Sequence, residues 1–214
     1  VDGKYYFSDV RGQLYKDRFI YFGDAAYYMG SDGSKQLGIT KAVNGLVYRL
    51  DETTGELIRK SGWYELDGKR YFAQENGIPY TNQLITFGDK AYYMGADGAI
   101  QKGLIATGNI EYYADLTTGL LVRGPKMITL EDKQYLINSN YRLAKGLVSF
   151  DGKQYFFDPS TQLPNMQKNK IEQINGVYYR INEYGHANKI DGISEDYTYS
   201  NGYIYGNRVA TRYV

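Results

Sequence analysis

The feature that most constrains this chain is internal repetition, present at two periods. The short unit runs as an apolar strand, a tight turn, an aromatic strand and an Asp/Asn-x-x-Gly turn. Instances are Asp2-Gly3-Lys4-Tyr5-Tyr6-Phe7, Asp67-Gly68-Lys69-Arg70-Tyr71-Phe72 and Asp151-Gly152-Lys153-Gln154-Tyr155-Phe156-Phe157. Asp-Gly between such runs predicts a two-residue hairpin loop, because a type I′ turn needs positive φ at both central residues. About ten such units, each of roughly 20–22 residues, cover nearly the whole chain.

The longer period is 65 residues. Gly23-Asp24-Ala25-Ala26-Tyr27-Tyr28-Met29-Gly30 recurs as Gly88-Asp89-Lys90-Ala91-Tyr92-Tyr93-Met94-Gly95, and Asp2 to Asp67 and Asn44 to Asn109 repeat the interval. The next copy is looser, with Phe87 matching Phe150 and Asn109 matching Asn175. Three hairpins therefore make one super-repeat. The expected boundaries are 1–58, 59–122 and 123–188, with 189–214 a divergent terminal repeat or cap.

An isolated hairpin is marginal in water, whereas stacked hairpins bury one continuous core. The expected fold is all-β, a β-solenoid of about ten stacked hairpins in which each unit contacts mainly its neighbours. No apolar stripe at helical spacing carries capping signals, so helix should be close to nil.

Composition narrows the function. The 25 tyrosines must supply much of the buried surface, since aliphatic residues are sparse and each aromatic ring buries roughly 150–250 Å². Net charge is +1, with basic and acidic residues interspersed, which argues against nucleic acid and anionic membrane surfaces and for a neutral partner. Cysteine is absent, which excludes a disulfide framework and thiolate metal sites. The single histidine, His186, follows Gly185 and reads as an exposed turn residue. One His and no Cys nearly exclude a His- or Cys-ligated metal centre and a nucleophile–histidine system, while carboxylate pairs are not excluded by composition. Most Asp residues sit in Asp-Gly turns, where bonds to the local backbone explain them. The chain reads as non-catalytic, with no cofactor. No stretch approaches the roughly 20 apolar residues of a membrane-spanning helix. The chain begins inside a repeat, as an excised domain would.

These units resemble the cell-wall-binding and glucan-binding repeats of Gram-positive surface and secreted proteins. The resemblance rests on the Asp-Gly-Lys-x-Tyr-Phe strands, the Thr53-Thr54-Gly55 and Thr117-Thr118-Gly119 turns, and the linkers Gln101-Lys102-Gly103-Leu104 and Lys145-Gly146-Leu147. Choline-binding repeats resemble the pattern but use Gly-Trp dipeptides to cage a quaternary ammonium, and Gly62-Trp63 stands alone here. Toxin receptor-binding repeats are similar but less regularly spaced. The regular triplet and the Tyr in place of Trp look most like the glucan-binding region of glucansucrases and related glucan-binding proteins.

That resemblance implies three hairpins per superhelical turn, with equivalent pockets along one side. It also implies an α-glucan partner (dextran or an isomaltooligosaccharide), a secreted or cell-wall-associated location, and an attached catalytic domain acting on sucrose in the full-length protein. The alternatives are a cell-wall attachment module, teichoic-acid or choline-like in its ligand, and a toxin-type binder of host glycans.

A sugar needs an aromatic platform for its C–H face and paired donors and acceptors for its hydroxyl rim. The middle hairpin of each super-repeat holds this set. In the second it is Tyr92 and Tyr93 with Gln101 and Lys102, followed by Tyr113. In the first it is Tyr27 and Tyr28 with Lys35 and Gln36, then Tyr48. In the third it is Tyr155 and Phe156 with Gln167 and Lys168, then Tyr179. Adjacent strand residues face opposite sides, so one ring of each Tyr pair should pack inward and the other outward. Tyr28 and Tyr93 are taken as the exposed platforms; core packing of the rings is the competing explanation.

Overall fold

The computed structural model describes residues 3–190 and the strands Tyr197–Ser200 and Tyr203–Gly206. Among the described residues all regular structure is β, arranged as nine small antiparallel sheets. The expected terminal unit, 189–214, lies largely outside the described residues.

The chain divides into two compact units. The first comprises residues up to Gly103 together with Ala114–Leu121. In it β1 (Arg18–Phe22) pairs with β2 (Ala25–Met29), and β3 (Ile39–Lys41) with β4 (Val47–Arg49). β5 (Gly62–Leu66) pairs with β6 (Lys69–Ala73), and β7 (Gln83–Phe87) with β8 (Lys90–Met94). Ahead of β1, a bridge between Ser8 and Leu14 closes one further turn. β9 (Gly103–Thr107) and β10 (Ile110–Ala114) form the next hairpin. The second unit comprises Leu104–Tyr113 and residues from Val122 onward. There β11 (Lys126–Leu130) pairs with β12 (Lys133–Ile137), and β13 (Gly146–Phe150) with β14 (Lys153–Phe157). β15 (Lys170–Ile174), β16 (Val177–Ile181) and β17 (Ala187–Lys189) form one three-stranded sheet. β18 (Tyr197–Ser200) pairs with β19 (Tyr203–Gly206).

The turns follow from their residues. Asp67-Gly68 and Asp151-Gly152 have positive φ at both positions, +51° and +71° in the first and +49° and +70° in the second, as a type I′ turn requires. In the Gly-Asp loop at Gly23, only the glycine takes positive φ, which is the type II′ alternative with the same strand twist.

The hairpins are joined by a device that periodicity did not announce. After each second strand, a short connector folds back along that strand's free edge. Met29 bridges Lys35, Met94 bridges Ile100 and Ile137 bridges Leu143 in this way. The same connector then donates a backbone N–H to the second strand of the preceding hairpin. Lys35 donates to the Tyr5 carbonyl, Leu57 to Ala26, Ile100 to Arg70, Leu121 to Ala91, Leu143 to Glu111 and Met166 to Gln134, all at 2.7–2.9 Å. Each connector is thus a third strand shared by two hairpins, and it covers the edge groups that a lone hairpin would leave open.

In β8 both tyrosines are buried, and in β2 Tyr28 is buried while Tyr27 is half-buried, which corrects the expected in–out alternation of the tyrosine pairs. Tyr28 is 4% exposed and Tyr93 is 6% exposed, so neither is a surface platform. Tyr28 packs with Ala42 and Tyr48 of the following hairpin, and Phe19 lies 5.1 Å from its ring centre. On the other face of the equivalent strand, Tyr92 is buried against Trp63 of the preceding hairpin, with centroids 5.1 Å apart. Such edge-on aromatic pairs contribute about 0.5–1.5 kcal/mol each beyond area burial. His186 is also not an exposed turn residue. It is half-buried in a connector, bridges Tyr155 and sets its ring 5.4 Å from that tyrosine.

Candidate functional site

Two clefts of the first unit are built from the same repeat positions. The first, of about 770 Å³, is lined by Gly3, Lys4, Tyr5, Ser34, Lys35, Gln36, Leu37 and Thr53, among others. The second, of about 670 Å³, is lined by Gly68, Lys69, Arg70, Ala99, Ile100, Gln101, Lys102 and Thr117, which stand 64 or 65 residues further on. The 65-residue period therefore places the same eight repeat positions in both clefts, while each cleft also has lining residues that the other lacks.

The glutamines are anchored alike. Gln36 donates from Nε2 to the Ser34 carbonyl at 3.0 Å, and Gln101 to the Ala99 carbonyl at 3.2 Å. Gln167 does the same to the Asn165 carbonyl at 3.2 Å. Each amide is held over the backbone of its own hairpin end. A Cβ at Gly95 would stand 2.3 Å from Gln101 Nε2, so glycine there keeps the space that the amide occupies. Gln36 Nε2 also meets Ser34 Oγ at 3.0 Å and Gln167 Nε2 meets Asn165 Oδ1 at 3.4 Å, so Oε1 is the group all three amides offer to a ligand hydroxyl, and Gln101 offers its second N–H as well.

The lysines brace the Thr-Thr-Gly turns. Lys35 donates to the Thr54 carbonyl at 2.7 Å and lies over the rings of Tyr5 and Tyr27, 4.7 and 5.5 Å from their centroids. Lys102 donates to the Thr117 carbonyl at 2.8 Å. Those turns are closed from within by Asp51 and Asp115, whose carboxylates accept the N–H groups of Thr53 and Thr54, and of Thr117 and Thr118. The bonds from Thr54 and from Thr118 hold the two carboxyls below the usual range.

A repeated ion pair, which sequence reading missed, closes one wall of each cleft. Lys4 meets Asp32 at 2.9 Å and Lys69 meets Asp97 at 3.0 Å. Lys4, with the hydroxyl and N–H of Ser34, pulls the Asp32 carboxyl well below its ordinary value. At Asp97 partial burial opposes ionisation, but the bonds from Lys69 and from the Ala99 N–H outweigh it and the net shift is downward. Both pairs span 28 residues and recur at the longer period, and that was the signal available in the sequence. With these carboxyls ionised, the clefts present fixed donors and acceptors suited to binding.

The expected site residues are only partly brought together. Tyr92, Gln101 and Lys102 line the second cleft, and Tyr28, Lys35 and Gln36 line the first. Tyr28 reaches its cleft from the buried side, its hydroxyl accepting the Val43 N–H at 2.8 Å. Tyr27 is half-buried beneath Lys35 and beside Phe22. Tyr93 is buried away from the second cleft's lining. Tyr48 is a core residue whose hydroxyl accepts a bond from Asn44 at 2.9 Å. Tyr113 packs against Tyr135, Ile137 and Leu143 in the second unit. There Phe156 is buried and Tyr179 packs against it. Gln167 and Lys168 do not line either of the two clefts described in that unit. Among the described residues, no three His, Cys, Asp or Glu side chains are grouped to hold a metal ion, and no helix is long and apolar enough to cross a membrane.

No family model and no curated protein matches the chain. Solved structures do. CbpJ from Streptococcus pneumoniae is 23% identical, over 89% of this chain and 73% of that one, with a TM-score of 0.54. Choline binding protein F from Streptococcus pneumoniae, determined in the presence of a peptidoglycan analogue, is 19% identical over 89% and 73%, with a TM-score of 0.53. An alternansucrase in complex with isomaltononaose matches 88% of this chain and 16% of its own at 20% identity, with a TM-score of 0.35, too low to carry an argument. The likeness to the two pneumococcal proteins shows a shared fold, the repeated β-hairpin architecture of choline-binding proteins.

Proposed function

We propose that this chain is a non-catalytic carbohydrate-binding module that attaches a secreted or surface protein to a cell-wall polysaccharide. The observation that carries the reading is the pair of clefts 64–65 residues apart, each with a glutamine amide anchored in the same way. Two such clefts suit a polymer that offers the same unit repeatedly, since weak sites on one chain add by avidity. The fold it shares with choline-binding proteins, one of them solved with a peptidoglycan analogue, supports this attachment role.

In this reading the hairpins stack as a β-solenoid with three per superhelical turn, which returns equivalent clefts to one side. Trp63 is not available for a choline cage. Phe72, Phe87 and Tyr92 surround it, and the Arg70 guanidinium lies 4.8 Å from its ring centre. In this reading the ligand is a sugar.

A second reading, α-glucan binding in a glucansucrase or glucan-binding protein, is favoured by Tyr92, Gln101 and Lys102 lining one cleft. Co-sedimentation with purified Gram-positive cell walls, run beside affinity electrophoresis in dextran gels, tests both. Saturable retention by walls with unchanged mobility in dextran supports the attachment reading. Retardation in dextran relieved by isomaltooligosaccharides, without wall binding, replaces it with the glucan reading. No retention in either assay overturns both.

A further inference from the structure

The two equivalent clefts differ in charge, and the difference is concentrated at a few repeat positions. Where the first cleft has Tyr5 and Leu37, the second has Arg70 and Lys102. Ala25, at the equivalent repeat position outside the first cleft's lining, becomes Lys90, which does line the second. In the opposite sense, Lys35 becomes Ile100. The first cleft thus sets three cations, Lys4, Lys35 and Lys41, against two carboxylates, Asp17 and Asp32. The second sets four cations, Lys69, Arg70, Lys90 and Lys102, against Glu65 in its lining and Asp97, the partner of Lys69. The chain's net charge of +1 conceals this local excess.

We propose that the second cleft recognises an anionic sugar unit, one bearing a phosphate or a carboxylate, while the first takes a neutral one. The inference rests on the carbohydrate-binding reading above and names the ligand class at one of its clefts.

The four cations are not equally committed. Lys69 is paired with Asp97, and Arg70 with Glu65 at 3.2 Å. Lys102 is bonded to the Thr117 carbonyl and its charge helps to hold the nearby Asp115 carboxyl ionised, without a direct ion pair. Lys90 makes no side-chain hydrogen bond or ion pair among the described residues. Arg70, stacked on Trp63, holds its guanidinium in a fixed plane, and its planar fork suits the two oxygens of a phosphate or carboxylate. Tyr92, Ile100 and Leu120 supply the apolar floor for the sugar ring. In the first cleft the place of Arg70 is taken by Tyr5, a 68% exposed residue with Lys35 over one face of its ring, which leaves the other face for a neutral sugar.

The test uses the full chain and calorimetric titration with three probes: a hexose 6-phosphate, glucuronate and glucose. The phosphate, the uronate or both should bind at least tenfold more tightly than glucose, and this advantage should shrink several-fold between low and high salt. Which anion gains identifies whether phosphate-bearing or uronic polymers are the source. The variant Arg70→Tyr with Lys90→Ala and Lys102→Leu, which installs the first cleft's residues, should lose the advantage. Tyr5→Arg with Leu37→Lys should create a second anion site. All five positions are exposed, so thermal melts serve as a check that each variant folds. Equal affinity for charged and neutral probes, or an advantage that survives the triple variant, overturns the proposal and leaves the carbohydrate-binding reading standing. Failure to bind any probe, together with failure to bind walls or dextran, removes both.

Discussion

Tyr64 donates its hydroxyl to the Val47 carbonyl at 2.6 Å, and it does so where every comparable hairpin named above uses a connector N–H. The connector residue at this point is Pro79, which bridges Ala73 as its counterparts bridge their own strands but has no N–H to give. Val47 is 1% exposed, so its carbonyl has no ready access to water. Facing Tyr71 in the β5–β6 register, Tyr64 occupies the position that is Ile20 opposite Tyr27 and Ile85 opposite Tyr92. A tyrosine in place of an aliphatic residue thus satisfies the acceptor that a proline elsewhere leaves open. Burial raises the Tyr64 hydroxyl's pKa, so it remains a protonated donor through the physiological range.

Removing that hydroxyl leaves a buried carbonyl unpaired, which costs roughly 1–3 kcal/mol. Tyr64→Phe is expected to lose that much in urea unfolding. In a Pro79→Leu background, where a connector N–H is restored, the same change should cost clearly less. An identical cost in both backgrounds, measured as a double-mutant cycle, would show that the two residues are not coupled.

The Gly95–Gln101 contact separates binding from folding. Gly95→Ala would push a Cβ into Gln101 Nε2, the far end of a flexible side chain. Stability should change by less than about 1 kcal/mol, because only a partly exposed amide must move. Glycan affinity at the second cleft should fall severalfold, matching Gln101→Ala, since both displace the same amide. Wild-type affinity in both variants would remove Gln101 from the site.

Asp51 and Asp115 make the turns sensitive to acid. Their folded-state pKa values are depressed by threonine N–H bonds, so their contribution is fully present above the unfolded value of about 3.9 and is lost as pH falls below it and through the depressed folded values. The melting temperature should be nearly flat from pH 7 to about 5 and fall below about 4. Asp51→Asn with Asp115→Asn keeps an oxygen acceptor but cannot protonate, and should flatten the acid limb. Parallel wild-type and variant profiles would place the acid sensitivity elsewhere.

In the second unit, Glu111 is 3% exposed and pairs with Lys145 at 2.8 Å. Lys145→Met strands that carboxylate and should cost about 3–5 kcal/mol, while adding Glu111→Leu should recover most of the loss. Chemical denaturation of the single and double variants reads this directly. A single variant as stable as the parent would mean that water already reaches the carboxylate.

The sequence by itself determined the local elements. Asp67-Gly68 and Asp151-Gly152 turn as their residues require, since positive φ at two successive positions is a short-range steric matter that neighbours in the chain decide. The period of 65 residues, read from matching motifs, likewise placed Gln36 and Gln101 in equivalent clefts and put Tyr92 beside Gln101. What only the tertiary structure decided is what covers each face. Alternation along β2 and β8 separates Tyr27 from Tyr28 and Tyr92 from Tyr93, but it cannot say that neighbouring hairpins lie on both sides, and so Tyr28 and Tyr93 are buried where one exposed ring was expected. The connectors at Lys35, Leu57 and Ile100 recur at the hairpin spacing, but a single bridging residue carries no local pattern that says it pairs with two hairpins at once. Arg70, Lys90 and Lys102 stand on three separate segments of the repeat, and their meeting at one cleft is a consequence of stacking, which brings together residues that sequence distance keeps apart.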